Sequence, residues 1–277
     1  MRLFQVDQVV AFSTPRNAAD PADPYSGFNA CDYVGDSPTH IAACRRALAD
    51  GLGLPLDALI FPRQTHGDRV ALVDRIPYPA DRLRGVDALV TALPDVLLCI
   101  STADCVPLLM ADPDAGVIAA VHAGWRGVIN RVALRAIVQM QLLGADPARI
   151  LVAMGPSICP ACFEVGQEVA DQFEQQYPDA AYHILNSDGS TTSVPLDSPI
   201  VRHDLGPKPH VDLARALQSD LYRVGIQPKN VQLPLACTCC DPDRYFSARR
   251  LGVDSGRVLS GILRRSNASI KLPGVAL

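Results

Sequence analysis

The feature that most constrains the fold is a strongly apolar stretch in the middle of the chain. Residues 96–101 and 106–111 are apolar runs, and Thr-Ala-Asp-Cys at 102–105 separates them. Asp, Pro and Gly at 112–116 predict a turn, after which an apolar run returns over 117–122. Runs of this length and composition predict buried strands, and the turn predicts that the second and third runs pair as a hairpin.

Segments with helical spacing of apolar residues alternate with further short strands. Helices are predicted over about 38–51, 125–143, 165–177 and 211–224, and strands over 9–14, 59–61, 70–73, 150–154 and 231–235. This order predicts an α/β (α+β) layered sandwich, in which helices flank a mixed β-sheet. A chain of 277 residues fits one domain, 1–277. Residues 178–209 are rich in Pro, Ser and Asp and are predicted to be an irregular excursion.

Composition excludes several classes of protein. The net charge is −4 and the basic clusters are short, which argues against a nucleic-acid partner. No apolar run approaches the ~20 residues of a membrane helix, so no membrane partner is expected. The N-terminus lacks a secretory pattern and the cysteines number nine, an odd count, so we expect a cytoplasmic protein with reduced thiols.

Three residues with metal-binding side chains lie where a predicted strand ends or breaks: His66, Cys105 and His122. Strand ends meet at one edge of a sheet, and the predicted hairpin makes Cys105 a neighbour of His122. One thiolate and two imidazoles suit zinc, and three protein ligands leave the fourth tetrahedral position open, as in catalytic sites. Zinc held in this way activates water near neutral pH, and Asp104 could accept the proton or orient a ligand.

Other interpretations of these residues remain open. A lone histidine is often a hydrogen-bonded core or surface residue, and a lone cysteine in a strand often serves packing. Without a metal, Cys105 could be the nucleophile of a cysteine hydrolase with His122 as its base; a zinc-stabilised binding module is a non-enzymatic alternative. Elsewhere, Cys159-Pro160-Ala161-Cys162 has the spacing of a redox pair or of half a zinc site. Cys-Thr-Cys-Cys at 237–240 could complete it as a structural Cys₄ site.

Several sequence blocks occur together and in a characteristic order. They are QTHG at 64–67, TADCVP at 102–107, AVHAGWRG at 120–127, GPSI at 155–158, FEVG at 163–166, CT at 237–238, FSARR at 246–250 and GR at 256–257. In these blocks the sequence resembles the laccase-domain family, also called YfiH-like or "polyphenol oxidase" proteins. Members of that family are described as purine nucleoside phosphorylases with adenosine deaminase activity.

The resemblance implies a single-domain α/β sandwich with zinc bound by His66, Cys105 and His122. It implies that the substrates are a purine nucleoside and phosphate, and for these reactions we expect Asp104, Cys105 and His122 to be catalytic. The candidate substrate-binding residues are Arg16 and Asn29, from the N-terminal pattern of the family, and Arg126, Arg249 and Arg250, whose guanidinium groups suit phosphate.

The older family name implies copper and oxidation of phenols, and a His₂Cys site also fits copper. A multicopper laccase needs many histidines, usually in His-x-His pairs, whereas this chain has six histidines and no such pair. Copper could still replace zinc in vitro.

The chain departs from the family pattern at residues 18–21, where it has Ala-Ala-Asp-Pro and the family has Gly-Gly-Val-Ser. The loss of two glycines predicts a different loop backbone and an altered substrate preference.

Overall fold

The fold is given by a computed structural model that describes residues 1–6, 8–17, 20, 22–179 and 181–266. In this part of the chain the strands are β1 (Arg2–Val6), β2 (Val9–Ser13), β3 (Leu59–Ile60), β4 (Val70–Leu72), β5 (Ala88–Thr91), β6 (Val96–Thr102), β7 (Val106–Asp112), β8 (Val117–Ala123), β9 (Leu151–Met154), β10 (Ala181–Leu185), β11 (Thr191–Pro195), β12 (Val201–Arg202), β13 (His210–Val211), β14 (Val231–Gln232) and β15 (Val258–Arg264). The helices are α1 (Pro38–Leu52), α2 (Trp125–Ile129), α3 (Val132–Leu142), α4 (Gln167–Gln176), α5 (Leu213–Arg223) and α6 (Ala248–Leu251). Short 3₁₀ turns lie at Leu56–Ala58, Ala80–Leu83 and Pro228–Asn230.

Two sheets carry most of the strands. The five-stranded sheet has the order β1-β2-β15-β6-β3, and the six-stranded sheet has the order β14-β9-β7-β8-β5-β4. Strands β7 and β8 form the predicted antiparallel hairpin inside the larger sheet, with Pro107 opposite His122. Two small pairs, β10-β11 and β12-β13, lie outside these sheets.

The period-two alternation of the strands sends successive side chains into different cores. In β7, Leu109 and Ala111 pack against the five-stranded sheet. Leu108 and Met110 pack instead against helices α2 to α5. The far face of the five-stranded sheet packs on α1 through residues such as Leu48. The layers are therefore helix, sheet, sheet and helices, which confirms the predicted layered sandwich and its single-domain organisation.

One predicted helix is broken in two. The segment 125–143 forms α2 and α3, and between them Arg131 has a left-handed backbone with φ of 61°. Its guanidinium pairs with the buried carboxylate of Asp220 on α5 and donates to Tyr177 Oη at 3.1 Å. These tertiary contacts favour the break over a continuous helix. Among the described residues, no helix combines the length and apolar character needed to cross a membrane.

The segment 178–209 is more regular than its composition predicts. Strands β10 and β11 form an antiparallel hairpin in which Tyr182 is opposite Val194. The chain reverses at Asn186, whose backbone amide donates to the carbonyl of Ser190 at 2.9 Å. Exposed polar side chains on β11 hide this hairpin from a search for apolar alternation.

Strand β15 lies inside the five-stranded sheet, although the sequence analysis did not predict it. Ser260 and Gly261 interrupt its apolar pattern. The hydroxyls of Ser260 and Ser13 are 2.7 Å apart, and a Cβ at Gly261 would lie 3.0 Å from Leu97 Cδ1. Both residue types are therefore required by neighbours that are distant in sequence.

Candidate active site

His66, Cys105 and His122 lie together at one end of the central hairpin. One potential ligand atom from each lies within 4.8 Å of the others. The two imidazole ring centroids are 4.8 Å apart, with an angle of 72° between the ring planes. His122 is buried, Cys105 is half-buried and His66 is exposed. The group is therefore open to ligands on the side of His66.

The register of the hairpin places two of these residues. Val106, the first residue of β7, is opposite Ala123 at the end of β8, so Cys105 lies beside His122 as the hairpin predicts. Gly124 leaves room for the group, since a Cβ there would lie 2.9 Å from Cys105 Sγ and 3.1 Å from His66 Cδ2. The Gly in the His-Ala-Gly block is thus a steric requirement of the site.

A buried carboxylate holds the loop that carries His66. Asp87, which precedes β5, accepts hydrogen bonds from the backbone amides of Thr65, His66 and Gly67 at 3.2, 2.9 and 2.8 Å. His66 has φ of 61°, a left-handed backbone that costs an L-residue roughly 1–2 kcal/mol. The three hydrogen bonds to Asp87 stabilise this otherwise unfavourable conformation.

The same loop is fixed to the other sheet by Gln64. Its side-chain amide donates to the carbonyl of Ser101 at 2.7 Å, and its side-chain oxygen accepts from the amide of Ser101 at 2.8 Å. Gln64 therefore pairs with β6 as a neighbouring strand would. Because β5 and β6 belong to different sheets, His66 is held by both layers of the sandwich.

Asp87 also determines the electrostatics of the group. Its Oδ1 lies 2.8 Å from Nδ1 of His122, which leaves Nε2 of that ring for Cys105 or a metal. Burial alone would raise the pKa of the Cys105 thiol, but His122 and His66 outweigh burial and lower that pKa to about 6. Burial likewise opposes the charged form of His122, while Cys105 and Asp87 raise its pKa to about 9. A metal ion would replace the proton that these two groups share.

A cavity of about 500 Å³ lies over the three residues. Its volume falls in the roughly 300–1,000 Å³ range of small-molecule sites. Tyr33, Ser101 and Arg257 contribute to its wall, and Arg257 is the one arginine or lysine among the described residues that line it. The Arg257 guanidinium donates to the carbonyls of Ser255 and Val253 at 2.6 and 2.9 Å, which fixes its position.

Asn29 lies one layer behind this wall. Its side chain is buried, its Oδ1 accepts from the backbone amide of Arg257 at 3.1 Å, and its Nδ2 donates to Asp36 at 2.7 Å. The described residues that line the cavity do not include Asn29. In this structure Asn29 therefore positions Arg257.

Arg16 is buried close to the N-terminal loop. Its guanidinium donates to the carbonyls of Asp23, Ser26 and Pro242 at 2.9, 3.1 and 3.3 Å. These bonds use its donors within the protein, so its predicted contact with phosphate stays a prediction. Of the divergent segment at 18–21, the residues Ala18, Ala19 and Pro21 lie outside the described residues.

The other three predicted arginines are exposed. Arg126 lies on α2, with its guanidinium carbon 4.2 Å from the centroid of the Trp125 ring. Arg249 and Arg250 lie on α6 and donate to backbone carbonyls of Glu164 and Cys239 at 2.9 and 3.2 Å. These three arginines are not among the described residues that line the cavity.

The carboxylate of Asp104 forms its hydrogen bonds with residues outside the three-residue group. Its oxygens accept from Thr238 Oγ1 and from the backbone amide of Arg249, both at 2.7 Å. The backbone carbonyl of Asp104 accepts from the amide of Ile158 at 2.9 Å. Asp104 thus joins three segments next to Cys105, and its predicted part in proton transfer stays a prediction.

The donor set of the group fits a metal ion. Two imidazoles and a thiolate are ligands for zinc, and the exposed side leaves a position for a further ligand. The remaining four histidines bond elsewhere: His40 to Asp36, His183 to Asp179, His203 to Glu174 and His210 to the carbonyl of Pro160. In the described part of the chain they form no second cluster of the kind that a multicopper centre needs.

Sequence analysis missed two residues that the structure connects to this site. Asp87 has no motif around it, although an acidic residue directly before an apolar strand is a weak signal of a buried, bonded carboxylate. Arg257 lies in the last of the family-like blocks, GR at 256–257, but its residue type and spacing alone predict no role for it. Both are brought to the site by pairing between segments that are far apart in sequence.

The chain is similar to known proteins over most of its length. The family model described as multi-copper polyphenol oxidoreductase laccase matches residues 10–265. Adenosine deaminase RL5, from an unknown prokaryotic organism, is 41% identical to this chain over 94% of it and 95% of the relative. A purine nucleoside phosphorylase from Bacteroides thetaiotaomicron is 35% identical over 94% and 93%.

Two solved structures share the fold of this chain. The Bacillus licheniformis protein YfiH has a TM-score of 0.77 at 27% identity, over 93% of each chain. YlmD from Geobacillus stearothermophilus has a TM-score of 0.78 at 28% identity, over 96% of this chain and 100% of the other. These matches confirm the resemblance carried by the sequence blocks.

Proposed function

The chain belongs to the multi-copper polyphenol oxidoreductase laccase family, and we propose that it is a zinc-dependent enzyme that processes purine nucleosides. In this proposal it is both a transferase, which cleaves adenosine- and inosine-type nucleosides with phosphate, and a hydrolase, which deaminates adenosine. Two relatives that align with nearly its whole length support the proposal, because one is named an adenosine deaminase and the other a purine nucleoside phosphorylase. We also propose a cytoplasmic location, where free thiols are kept reduced.

The observation that carries the proposal is the open group of His66, Cys105 and His122 beside a cavity of small-molecule size. These three side chains would hold the zinc. When bound there, zinc supplies Lewis acidity and lowers the pKa of water, which serves attack on a nucleoside at neutral pH. Asp87 accepts from Nδ1–H of His122 and thereby orients the ring so that Nε2 is the nitrogen that would bind the zinc.

Arg257 is the residue that we propose for binding phosphate. Its guanidinium lies in the cavity wall, already oriented by backbone carbonyls and by Asn29 behind it. Its bonds to described residues use Nη1 and Nη2 but not Nε, so Nε and the second hydrogen of Nη2 can donate two parallel hydrogen bonds to phosphate oxygens. Arg126, Arg249 and Arg250 stay candidates for a second contact, since a substrate can draw exposed side chains inward.

A metal-free cysteine hydrolase is the second candidate, and one observation favours it. Cys105, His122 and Asp87 form a chain of thiol, imidazole and carboxylate, and the pKa of the Cys105 thiol is lowered to about 6, against its burial, by His122 and His66. His66 weighs against this candidate, because a cysteine hydrolase has no use for a second imidazole at the thiol. Copper-dependent oxidation of phenols, which the family description names, is the third.

The test measures metal and products together. Protein purified without added metal is analysed for zinc and copper, then incubated with adenosine, with and without phosphate. We expect inosine and ammonia in both cases, and free purine base with ribose 1-phosphate only when phosphate is present. His122→Ala should lose both activities and the metal of this site.

Controls separate the three candidates. His203→Ala, which removes an exposed histidine bonded to Glu174, should keep metal and activity. Activity that survives chelation but is lost on alkylation of Cys105 would favour the cysteine hydrolase. Phenol oxidation at the native metal content, with no turnover of nucleosides, would favour the copper enzyme.

A further inference from the structure

A second cluster of metal-binding side chains lies outside the site described above. Cys159 and Cys162 face Cys237 and Cys240, and the four sulfur atoms lie within 4.8 Å of one another. The sulfurs of Cys162 and Cys240 are 3.4 Å apart. Each pair has the spacing Cys-x-x-Cys, so the two halves are equivalent in sequence although 78 residues separate them.

Backbone pairing brings the two halves together. Ser157 and Cys237 form a parallel bridge, in which the amide of Ser157 donates to the carbonyl of Ala236 at 3.3 Å and the amide of Thr238 donates to that of Ser157 at 3.2 Å. The amide of Cys159 then donates to Cys237 Sγ at 3.3 Å. An amide directed at a sulfur from the opposite half favours a thiolate there, as a metal ligand requires.

Each half also closes in a tight turn. The amide of Cys162 donates to the carbonyl of Cys159 at 3.0 Å, and the amide of Asp241 donates to the carbonyl of Cys237 at 3.1 Å. Such turns direct both sulfurs of a Cys-x-x-Cys segment to one side, where they can share one ion. Two turns that face each other present four sulfurs to the same point.

The chemistry of the donor set decides between a metal and a disulfide. Around one zinc ion, with Zn–S bonds of about 2.3 Å, tetrahedral sulfurs are about 3.8 Å apart. The sulfurs of Cys162 and Cys240 are 3.4 Å apart and all four sulfurs lie within 4.8 Å of one another, so the four can surround one ion of this size. A disulfide would need about 2.05 Å between its two sulfurs, which is much shorter than the 3.4 Å between Cys162 and Cys240. All four cysteines are free thiols in this structure.

We propose that Cys159, Cys162, Cys237 and Cys240 bind a second zinc ion in a closed tetrathiolate site. Four protein ligands leave no open position, so this site is structural, in contrast to the three-ligand site. It does not depend on the nucleoside chemistry proposed above. The spacing of these cysteines in the sequence already allowed a structural Cys₄ site, and the proximity of the four sulfurs supports it.

The place of this cluster in the fold suggests what the ion stabilises. Thr238, next to Cys237, donates to the carboxylate of Asp104, and Ile158, next to Cys159, donates to its carbonyl. Asp104 is the neighbour of Cys105. An ion that joins the two cysteine segments would therefore fix two of the three bonds that hold Asp104, and with them the start of β7.

Metal stoichiometry tests the proposal. Protein purified under reducing conditions should contain two zinc ions per chain, one for each group of ligands. Cys162→Ser/Cys240→Ser should lose one of them and keep the other. His122→Ala should also lose one, and the triple variant should lose both. Cys44→Ser, which alters a cysteine of α1 outside both groups, should keep two.

A spectroscopic measurement on the unaltered chain keeps the test decisive if the double variant does not fold. Protein produced with cobalt in place of zinc should show intense thiolate-to-cobalt absorption. His122→Ala should retain most of this absorption, because four of the five cysteine thiolates that bind metal belong to the second group. The proposal is overturned if wild-type protein holds a single metal ion and His122→Ala removes it. It is also overturned if Cys162 and Cys240 form a disulfide in protein freshly purified under reducing conditions. Iron at this site in place of zinc would overturn the assignment of the ion.

Discussion

Replacing Asp87 by asparagine exchanges one oxygen for an NH₂ group and keeps the shape of the side chain. In the wild-type protein Oδ1 accepts from His122 Nδ1 and from the amide of His66. Oδ2 accepts from the amides of Gly67 and Thr65. Whichever oxygen is replaced, the new NH₂ group faces two N–H donors and can accept from neither.

The magnitude follows from these contacts. A buried donor left without an acceptor costs about 1–3 kcal/mol, so two of them should lower the free energy of unfolding by about 2–6 kcal/mol. Loss of a carboxylate that orients a metal-binding histidine lowers metal affinity about 10- to 100-fold, or about 1.4–2.8 kcal/mol. We therefore expect Asp87→Asn to weaken zinc binding by that factor at the site that contains His122.

The chain offers a matched control in Asp112. Its side chain is also fully buried, and it accepts from the amides of Asp114, Ala115 and Asp146 as well as from Arg149. It lies at the opposite end of β7 from Cys105. Asp112→Asn should therefore cost similar stability and leave zinc affinity unchanged.

The assay is competition for zinc with a chromophoric chelator. The zinc ion whose affinity is compared is the one that is absent from His122→Ala. Urea unfolding of the same three proteins gives the stability term separately. Equal zinc affinities for Asp87→Asn and wild-type protein would refute the assignment of Asp87 as the residue that orients His122. A loss of affinity that Asp112→Asn shares would show that general destabilisation, and not orientation of the ligand, is the cause.

Four further predictions concern the site and its control residue Asp112. Arg257→Lys should raise the KM for phosphate about tenfold with little change in kcat for deamination, because a point charge replaces a bidentate donor; steady-state kinetics with varied phosphate check this, and an unchanged KM contradicts it. Gly124→Ala should lower metal content at the three-ligand site, since the added Cβ would lie 2.9 Å from Cys105 Sγ, and metal analysis of the purified variant decides the matter. In chelated protein the alkylation rate of Cys105, followed by peptide mapping, should rise with pH through about 6, because the neighbouring histidines outweigh burial and hold its pKa there; zinc should block the reaction. Burial raises the pKa of Asp112, but Arg149 and backbone amides lower it below its ordinary value, so its stabilisation is present above that value and lost in acid; the difference in unfolding free energy between wild-type protein and Asp112→Asn should shrink as the pH falls below about 4.

The fold was predictable from sequence where apolar residues repeat with one period. The hairpin of β7 and β8 and the helices α1, α4 and α5 agree with their predictions because burial alone decides their pattern. The hairpin β10-β11, the strand β15 and the break at Arg131 were not predicted. In β15 and at the break a residue is chosen for a distant partner, as Arg131 is for Asp220, and a local pattern carries no record of that partner. In the hairpin, exposed polar side chains on β11 hide the alternation.

The candidate site likewise contains residues whose proximity local sequence predicts and one residue that a distant contact places. Cys105 and His122 are joined by the register of one hairpin, so their proximity follows from local sequence. His66 reaches them only because Asp87 accepts from three successive backbone amides of its loop, a contact that spans 20 to 22 residues. A carboxylate that bonds to backbone places no demand on the identity of the side chains it holds, so no motif around His66 can reveal it. The sequence can therefore identify ligands by their chemistry, while the group that orients them becomes visible only when the backbone is in place.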